Sequence, residues 1–350
     1  VQGDWRKGVD VIMEIYDDYQ PNAQSPRDSR FPTIEEVKFI TRGEQIVRAA
    51  MVQVDEAQWA WDLGSPEFVN DVPVLDHGGA AETFVDVFDG IWHPELKKTK
   101  VRQALAYATD CATIVEEFYL DFYECQGTYA PPGTLGVTPR TLAPYPYDPD
   151  KAKALLAEAE YDEANEIVIN VFAGRFFRNV EVAEAQAQMW RDVGVNASIA
   201  NLETAKWLDV ARTGCGRAWR EAKGDDHEFS DDPTFCTDLP PGPPCYCQPH
   251  TYQLNPSLET LDFGRATKRF DCRNSGAKYC NLEIQPKLDI ANTAFMPERE
   301  TLLQELVDYA YDEMVMYTYF NGEVFYGVSE DLTWSPRFDR RPRVNQWDLN

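Results

Sequence analysis

Eight cysteines are the residues of this sequence with the most distinctive chemistry. An even cysteine count favours disulfides in an oxidising compartment, whereas cysteines clustered with a histidine can bind zinc. A zinc site would use Cys245, Cys247 and His250, but Cys-x-Cys is not the usual zinc spacing and no second clear pair follows. We therefore expect disulfides and no metal, with these candidates: Cys111, Cys125, Cys215, Cys236, Cys245, Cys247, Cys272 and Cys280.

Two of the cysteine pairs are candidates for local disulfides. Cys272–Cys280 is the stronger candidate and Cys111–Cys125 the second. Six of the cysteines fall within residues 215–280, in a stretch rich in proline and glycine. The pairing of the remaining four stays open at this stage.

Catalytic motifs are missing from the sequence. None of its four histidines lies in a His-Glu-x-x-His motif, and there is no Gly-x-Ser-x-Gly elbow, Walker loop or Gly-x-Gly-x-x-Gly. With 59 acidic residues, any Asp/Glu pair is uninformative as a glycosidase site. We therefore predict that the protein is not an enzyme and needs no cofactor, and a glycosidase or metal hydrolase is the weakest alternative.

Charge and length exclude other classes of function. The net charge is 33 − 59 = −26, so the chain repels nucleic acid and anionic lipid surfaces. Its 350 residues are enough for two lobes, and no apolar run approaches the roughly 20 residues of a membrane span. No signal peptide is visible, and Val1–Trp5 does not look like a natural N-terminus, so we expect processing or truncation upstream.

The elements that must position any site alternate between helices and strands. Val101–Asp110 has an apolar face of helical period, and the helix continues to about Tyr119 with a break near Asp110. Asp148 followed by Pro149 predicts a helix start. Ile167–Phe172 is a buried strand by its composition. This alternation predicts an α/β fold.

Near the beginning of the chain, the order strand, helix, strand predicts a βαβ-like segment. Val37–Ile40 is the first strand, a helix runs from Glu44 to Met51, and Met51–Ala57 follows. Further along, Gly78-Gly79 predicts a turn.

The amino-acid sequences of three segments resemble those of a known protein family. Residues 101–110 read VRQALAYATD, residues 131–133 read PPG, and residues 147–156 read YDPDKAKALL. Together they resemble the dipeptide, oligopeptide and nickel-binding family, the large solute-binding proteins of ABC importers. The resemblance implies an α/β, periplasmic-binding-protein-like fold of type II, cluster C.

The resemblance also implies a division into lobes. It is strongest at 95–213 and 277–320, and it matches the later part of the family's length. We expect residues 1–93 to form part of the first lobe, 94–320 the second lobe with a Cys/Pro-rich insertion at 214–280, and 321–350 a return to the first lobe. The family's first segments have no counterpart here, so either the chain is a fragment or a partner chain supplies them.

A peptide ligand would need a carboxylate for its ammonium group. It is a zwitterion, and each of its charges is bound more strongly by an opposite charge where water is excluded. Family members carry an Asp shortly after a Gly-Trp sequence, which makes Asp226 the first choice here, beside Asp225 and after Trp219. The alternative for each of these aspartates is a solvated acidic loop.

The ligand's own carboxylate would need a guanidinium. Arg175 and Arg178 follow the strand Ile167–Phe172, and clefts in α/β folds open at the carboxyl ends of strands. The alternative is a surface arginine in an acidic protein. Trp207 is a stacking candidate, although a core position is the more common role for such a residue.

We therefore predict an extracytoplasmic solute-binding component of an ABC importer, periplasmic or extracellular, which captures peptides or related small solutes. Its two lobes would close over the solute, and the closed form would deliver it to the membrane permease. The main alternative is a structural or assembly subunit that uses the same fold in a multi-chain extracytoplasmic complex.

Overall fold

Helices and strands alternate along the chain in the computed structural model. It describes residues 5–16, 18, 20, 33–63, 74–90, 93–119, 123–172, 177–203, 205–207, 250–254, 261–272, 277–336 and 342–350. For residues 74–83, 250–254 and 323 the description covers the backbone alone.

The chain forms two units and passes between them inside two strands. One unit comprises Val1–Ala81 with Glu323–Asn350, and the other comprises Glu82–Gly322. The crossings lie within β5 (Val74–Val87) and β10 (Met316–Val328). Gly78-Gly79, predicted to be a turn, instead lies within β5. The division into lobes at residues 93 and 320 remains a prediction.

The first unit contains two small antiparallel sheets and the end of a larger one. Strands β1 (Trp5–Arg6), β2 (Asp10–Glu14) and β3 (Glu36–Ile40) form a three-stranded sheet. Helix α1 (Gln45–Gln53) follows, and β4 (Trp59–Ala60) then pairs antiparallel with the end of β10. The chain finishes with the pair β11 (Leu332–Thr333) and β12 (Asp348–Leu349).

The βαβ-like segment predicted here does not form. The predicted second strand, Met51–Ala57, is instead the end of α1 and the turn after it, since the helix continues to Gln53. The next strand, β4, lies in a different sheet from β3, because its partner β10 comes from the far end of the chain.

The second unit contains the sheet that matters for the candidate site. Strands β7 (Ile167–Phe172) and β8 (Ala197–Leu202) are parallel neighbours, and β9 (His250–Leu254) runs parallel to β7 on its other side. Strand β5 pairs antiparallel with β9, and β6 (Tyr123–Cys125) pairs with the beginning of β10. The three parallel strands therefore share one carboxyl edge.

Helices cover both faces of this sheet. On β5, Phe84 and Phe88 join one apolar cluster, while Val85 and Val87 join another, as the period of two along a strand requires. The first cluster includes apolar side chains of α2 (Thr99–Ala108), α3 (Cys111–Tyr119), α5 (Pro149–Glu158) and α6 (Asn179–Asp192). The second cluster includes those of α7 (Phe263–Ala266), α8 (Gln285–Thr293) and α9 (Glu298–Asp312). Three further short elements are described, α4 (Pro139–Leu142) and two 3₁₀ helices at Thr267–Arg269 and Val344–Gln346.

Local sequence signals account for the helix boundaries in this unit. The predicted break near Asp110 separates α2 from α3, and the Asp110 carboxylate accepts from the backbone N–H of Thr113 at 3.1 Å. The Asp148 carboxylate caps α5 by accepting from the Lys151 backbone N–H at 2.9 Å, and Pro149 is the first helical residue. Gly194 ends α6 with a φ of 96°, where a side chain would be strained.

Candidate functional site

The candidate site is the carboxyl edge of the parallel strands in the second unit. In the ladder between β7 and β8, the last residues Phe172 and Leu202 are direct partners. The chain leaves β7 toward Arg178 and leaves β8 toward Trp207. Two of the six predicted ligand residues are therefore anchored to neighbouring strand ends.

Trp207 lies beside this edge, on the side of the apolar core. Its side chain is only 6% exposed, and its ring stacks on Phe172 with 4.9 Å between centroids and 24° between planes. It belongs to the same apolar cluster as Tyr129 and Phe263. The core role considered for Trp207 is the one it has here, since it packs on the partly buried Phe172.

Arg178 lies where the edge meets the N-terminus of α6. It is the N-cap residue of that helix, with a left-handed backbone at φ 51°. Its guanidinium carbon lies 5.4 Å from the centroid of the Phe177 ring, and its side chain is half-buried. The helix N-terminus and the guanidinium both favour negative charge, so their combination suits a ligand carboxylate.

Two contacts that the sequence analysis missed hold this segment in place. The buried Asn179 side chain donates to the backbone carbonyl of Phe172 at 2.9 Å, and the Tyr119 hydroxyl donates to the carbonyl of Phe177 at 3.0 Å. These bonds tie both ends of the connection from β7 to α6. The available signal was an asparagine at the first position of a helix, where its amide can bond to nearby backbone.

The other four predicted ligand residues lie outside the described residues. They are Arg175, Trp219, Asp225 and Asp226. The same holds for four of the predicted cysteines, Cys215, Cys236, Cys245 and Cys247. Among the residues that are described, no cluster of histidine, cysteine and acidic side chains could hold a metal ion.

Both predicted local disulfides are confirmed. Cys111–Cys125 ties the start of α3 to β6, and Cys272–Cys280 closes a short loop before α8.

In the described part of the chain, every helix is too short or too polar to cross a bilayer.

The motif helix α2 carries a structural arginine. Arg102 is fully buried and donates to the backbone carbonyls of Leu96 at 2.7 Å, Lys97 at 3.0 Å, Glu313 at 2.6 Å and Met314 at 3.1 Å. It also pairs with the Glu313 carboxylate at 3.3 Å. The guanidinium therefore joins the start of α2 to the end of α9, and it is not a ligand contact.

Known structures share the fold of this chain. The substrate-binding protein CtaP of an ABC transporter from Listeria monocytogenes has the same fold, with a TM-score of 0.73 and 15% identity over 99% of this chain and 65% of that one. The periplasmic binding protein DppA from Helicobacter pylori, solved in complex with the peptide STSA, gives a TM-score of 0.71 and 17% identity over 99% and 61%. The predicted α/β, periplasmic-binding-protein-like fold is confirmed.

The family follows from the sequence itself. The model of the bacterial extracellular solute-binding proteins, family 5 Middle, matches residues 1–237, and the chain belongs to this family. The dipeptide-binding protein of Escherichia coli (strain K12) is 28% identical over 297 residues, which are 79% of this chain and 54% of that protein. The chain thus spans about half the length of that relative. Members of the family are binding proteins and not enzymes, as predicted for this chain.

Proposed function

We propose that the protein containing this chain captures peptides or related small solutes outside the cytoplasm and delivers them to the permease of an ABC importer. Membership of the solute-binding family supports capture, and the dipeptide-binding relative supports a peptide-like solute. Capture would proceed by closure of the lobes over the solute.

Arg178 is the residue that we expect to bind the carboxylate of the ligand. A half-buried guanidinium at a helix N-terminus, beside the carboxyl edge of parallel strands, suits the carboxylate of a peptide. Arg175 is the second candidate for the same role. The ammonium group of the ligand would be bound by Asp226 or Asp225, with Trp219 stacking on the ligand.

Native mass spectrometry of the protein purified gently from its source tests capture. We expect a small mass that is retained in the native state and released on denaturation. Calorimetric titration with alanyl-alanine, its C-terminal amide and its N-acetyl form then tests the two charge contacts. A protein that retains no solute and binds none of a dipeptide and tripeptide library would overturn the proposal.

The variant Arg178→Met tests the carboxylate contact specifically. A hydrogen-bonded charge contact contributes about 1.5–3 kcal/mol, so affinity for the dipeptide should fall about 10- to 100-fold. Affinity for the amide should change much less. Arg265→Met is the matched control, because Arg265 is exposed at the end of the short helix α7. Unchanged dipeptide affinity in Arg178→Met would remove Arg178 from the site and leave solute capture standing.

A role in a multi-chain complex is the second candidate, and one observation supports it. In the three-stranded sheet, Trp5 pairs with Val11, Val11 with Phe39, and Met13 with Val37, so five apolar side chains share one face. None of the five is buried, and Trp5 is 69% exposed. Soluble monomers rarely leave a large apolar face uncovered, which supports a polypeptide partner at this face.

Light scattering on the purified protein tests this second candidate. A stable assembly should weaken in Met13→Lys, which places a charge on the apolar face. Glu14→Lys is the control, since successive residues of β2 point to opposite faces. A monomer that stays monodisperse at high concentration would exclude the assembly role.

A further inference from the structure

A carboxylic acid is buried in the apolar core of the second unit. Asp86 lies on β5 between Val85 and Val87, and its side chain is on the same face as Phe84 and Phe88. Its exposed fraction is 0%, and no basic side chain is among the groups that set its pKa. Buried charges in proteins are normally paired, so an unpaired aspartate here requires an explanation.

The hydrogen-bond partners of Asp86 come from two other elements. The Tyr319 hydroxyl on β10 lies 2.7 Å from Asp86 Oδ2, and the same hydroxyl contacts Gln186 Oε1 on α6. Asp86 Oδ1 and Gln186 Nε2 have no hydrogen-bond partner within the described part of the chain. Three elements therefore meet at one phenol oxygen.

The number of available protons limits how Asp86, Tyr319 and Gln186 can be hydrogen-bonded to one another. A hydroxyl has one proton and cannot donate to both Asp86 and Gln186. In the first arrangement Asp86 is a neutral acid that donates to the Tyr319 oxygen, and the Tyr319 hydroxyl donates to Gln186. In the second arrangement Asp86 is an anion that accepts from the Tyr319 hydroxyl, and the Gln186 amide is turned so that Nε2 donates to the Tyr319 oxygen. The second arrangement leaves a charged carboxylate in an apolar core with a single hydroxyl donor, which is the far more costly state.

We propose that Asp86 is a buried proton-binding site, held as the neutral acid in the folded protein, and that it exchanges its proton with solvent near neutral pH. Through Tyr319 and Gln186 the neutral acid joins β5, β10 and α6. Loss of its proton would place an anion at their junction, so the packing of these elements depends on pH. The proposal is independent of solute binding.

The surroundings support this assignment. Burial raises the pKa of Asp86 to about 7, and the neighbouring polar groups of Tyr319 and Gln186 lower it only in part. The titratable groups nearby are Tyr319 and Tyr317 on β10. Burial, together with the charges of Asp86 and Asp110, raises the pKa of Tyr317, so this phenol stays neutral and adds no negative charge beside Asp86.

The direction of the pH effect follows from linkage. In the unfolded chain Asp86 binds its proton only below about pH 4, whereas the folded protein retains it to about pH 7. Between these values the folded state binds more protons, so a rise in pH favours unfolding. The stabilisation is complete below about pH 4, falls as pH rises toward about 7, and does not change above that.

Urea unfolding of wild type, Asp86→Asn and the control Glu117→Gln, measured across this pH range, tests the proposal. For each pH unit the folded-to-unfolded ratio of wild type should fall about tenfold relative to Asp86→Asn. Glu117 is exposed on α3, and its variant should follow wild type. A wild-type curve parallel to that of Asp86→Asn would overturn the proposal.

Two further measurements keep the test decisive if Asp86→Asn fails to fold. Infrared spectroscopy at about pH 6, where ordinary carboxyls with pKa values near 4 are ionised, should detect the C=O stretch of a protonated carboxylic acid. Tyr319→Phe removes a donor to the carboxylate, so the pH at which this band disappears should shift upward. Absence of the band in wild type would contradict a neutral Asp86.

Discussion

At the residue scale, Arg102 is the most constrained side chain described in the protein. It has no exposed surface, and its donors are directed at four backbone carbonyls and a carboxylate from two distant parts of the chain. Arginine alone offers five donors in a planar fork, so lysine is not an equivalent substitute. The role of Arg102 is to join α2 to the end of α9.

Arg102→Met should therefore destabilise the second unit strongly. The substitution keeps much of the aliphatic volume but leaves buried carbonyls without donors, and we expect a loss of about 3–5 kcal/mol in the free energy of unfolding. Urea denaturation measures it. Arg140→Met is the control. Arg140 is half-exposed and pairs with Asp308 and Asp312, so its loss should cost less than about 1 kcal/mol. Equal losses in the two variants would contradict the structural role of Arg102.

Asp86 illustrates how much the sequence reveals at this scale. The five residues Phe84 to Phe88 read FVDVF, so the period of two already places Asp86 on an apolar face. The sequence analysis did not single it out, because 59 acidic residues make one more aspartate inconspicuous. Tyr319 and Gln186 are a hundred or more residues away from Asp86 in sequence. Proximity of that kind is a product of the fold and is not visible in a local pattern.

At the scale of elements, the junction of β6 and β10 depends on a glycine. Gly322 is the ladder partner of Tyr123, whose ring lies directly over the glycine. A Cβ added at Gly322 would lie 1.5 Å from Tyr123 Cε1, which is far inside van der Waals contact. The tyrosine ring thus occupies the space that any larger residue at position 322 would need.

Gly322→Ala should destabilise the protein by about 2–3 kcal/mol, because the ring must leave a packed site. Combining it with Tyr123→Val should remove most of that penalty, since valine leaves room for the added methyl. A double-mutant cycle by urea unfolding measures the coupling. A penalty of the same size in the Tyr123→Val background would place its origin elsewhere.

Elements with local signals were predicted well from the sequence, and pairings between distant elements were not. The break between α2 and α3 and the cap of α5 follow from Asp110, Asp148 and Pro149 within a few residues. The sheet that β4 joins depends on β10, more than 250 residues later, and no local pattern specifies it. Of the candidate site, Arg178 and Trp207 lie in the described part of the chain after β7 and β8, and their contact with a ligand, like that of Asp226, remains a prediction.

At the scale of the whole molecule, the net charge of −26 dominates the electrostatics. Such a charge destabilises the compact state by self-repulsion, and salt screens it over a Debye length of about 10 Å at 0.1 M. Stability should therefore depend on ionic strength across the protein as a whole, and not at any single ion pair.

Thermal unfolding near neutral pH should shift upward by several degrees when sodium chloride is raised from low to molar concentration. The same titration near the isoelectric point of about 4.5 should have much less effect, because little net charge remains to be screened. A potassium chloride series controls for the identity of the cation. A melting temperature that falls with salt near neutral pH would show that attractive ion pairs outweigh the repulsion.

The buried arginine of α2 also has a consequence for how such proteins are recognised. The motif VRQAL identifies the family, yet its arginine faces backbone carbonyls and its apolar residues face the core. Those contacts involve none of the six residues predicted to bind a ligand. The motif therefore indicates the fold and carries no information about the solute. A transported compound should not be assigned from this motif.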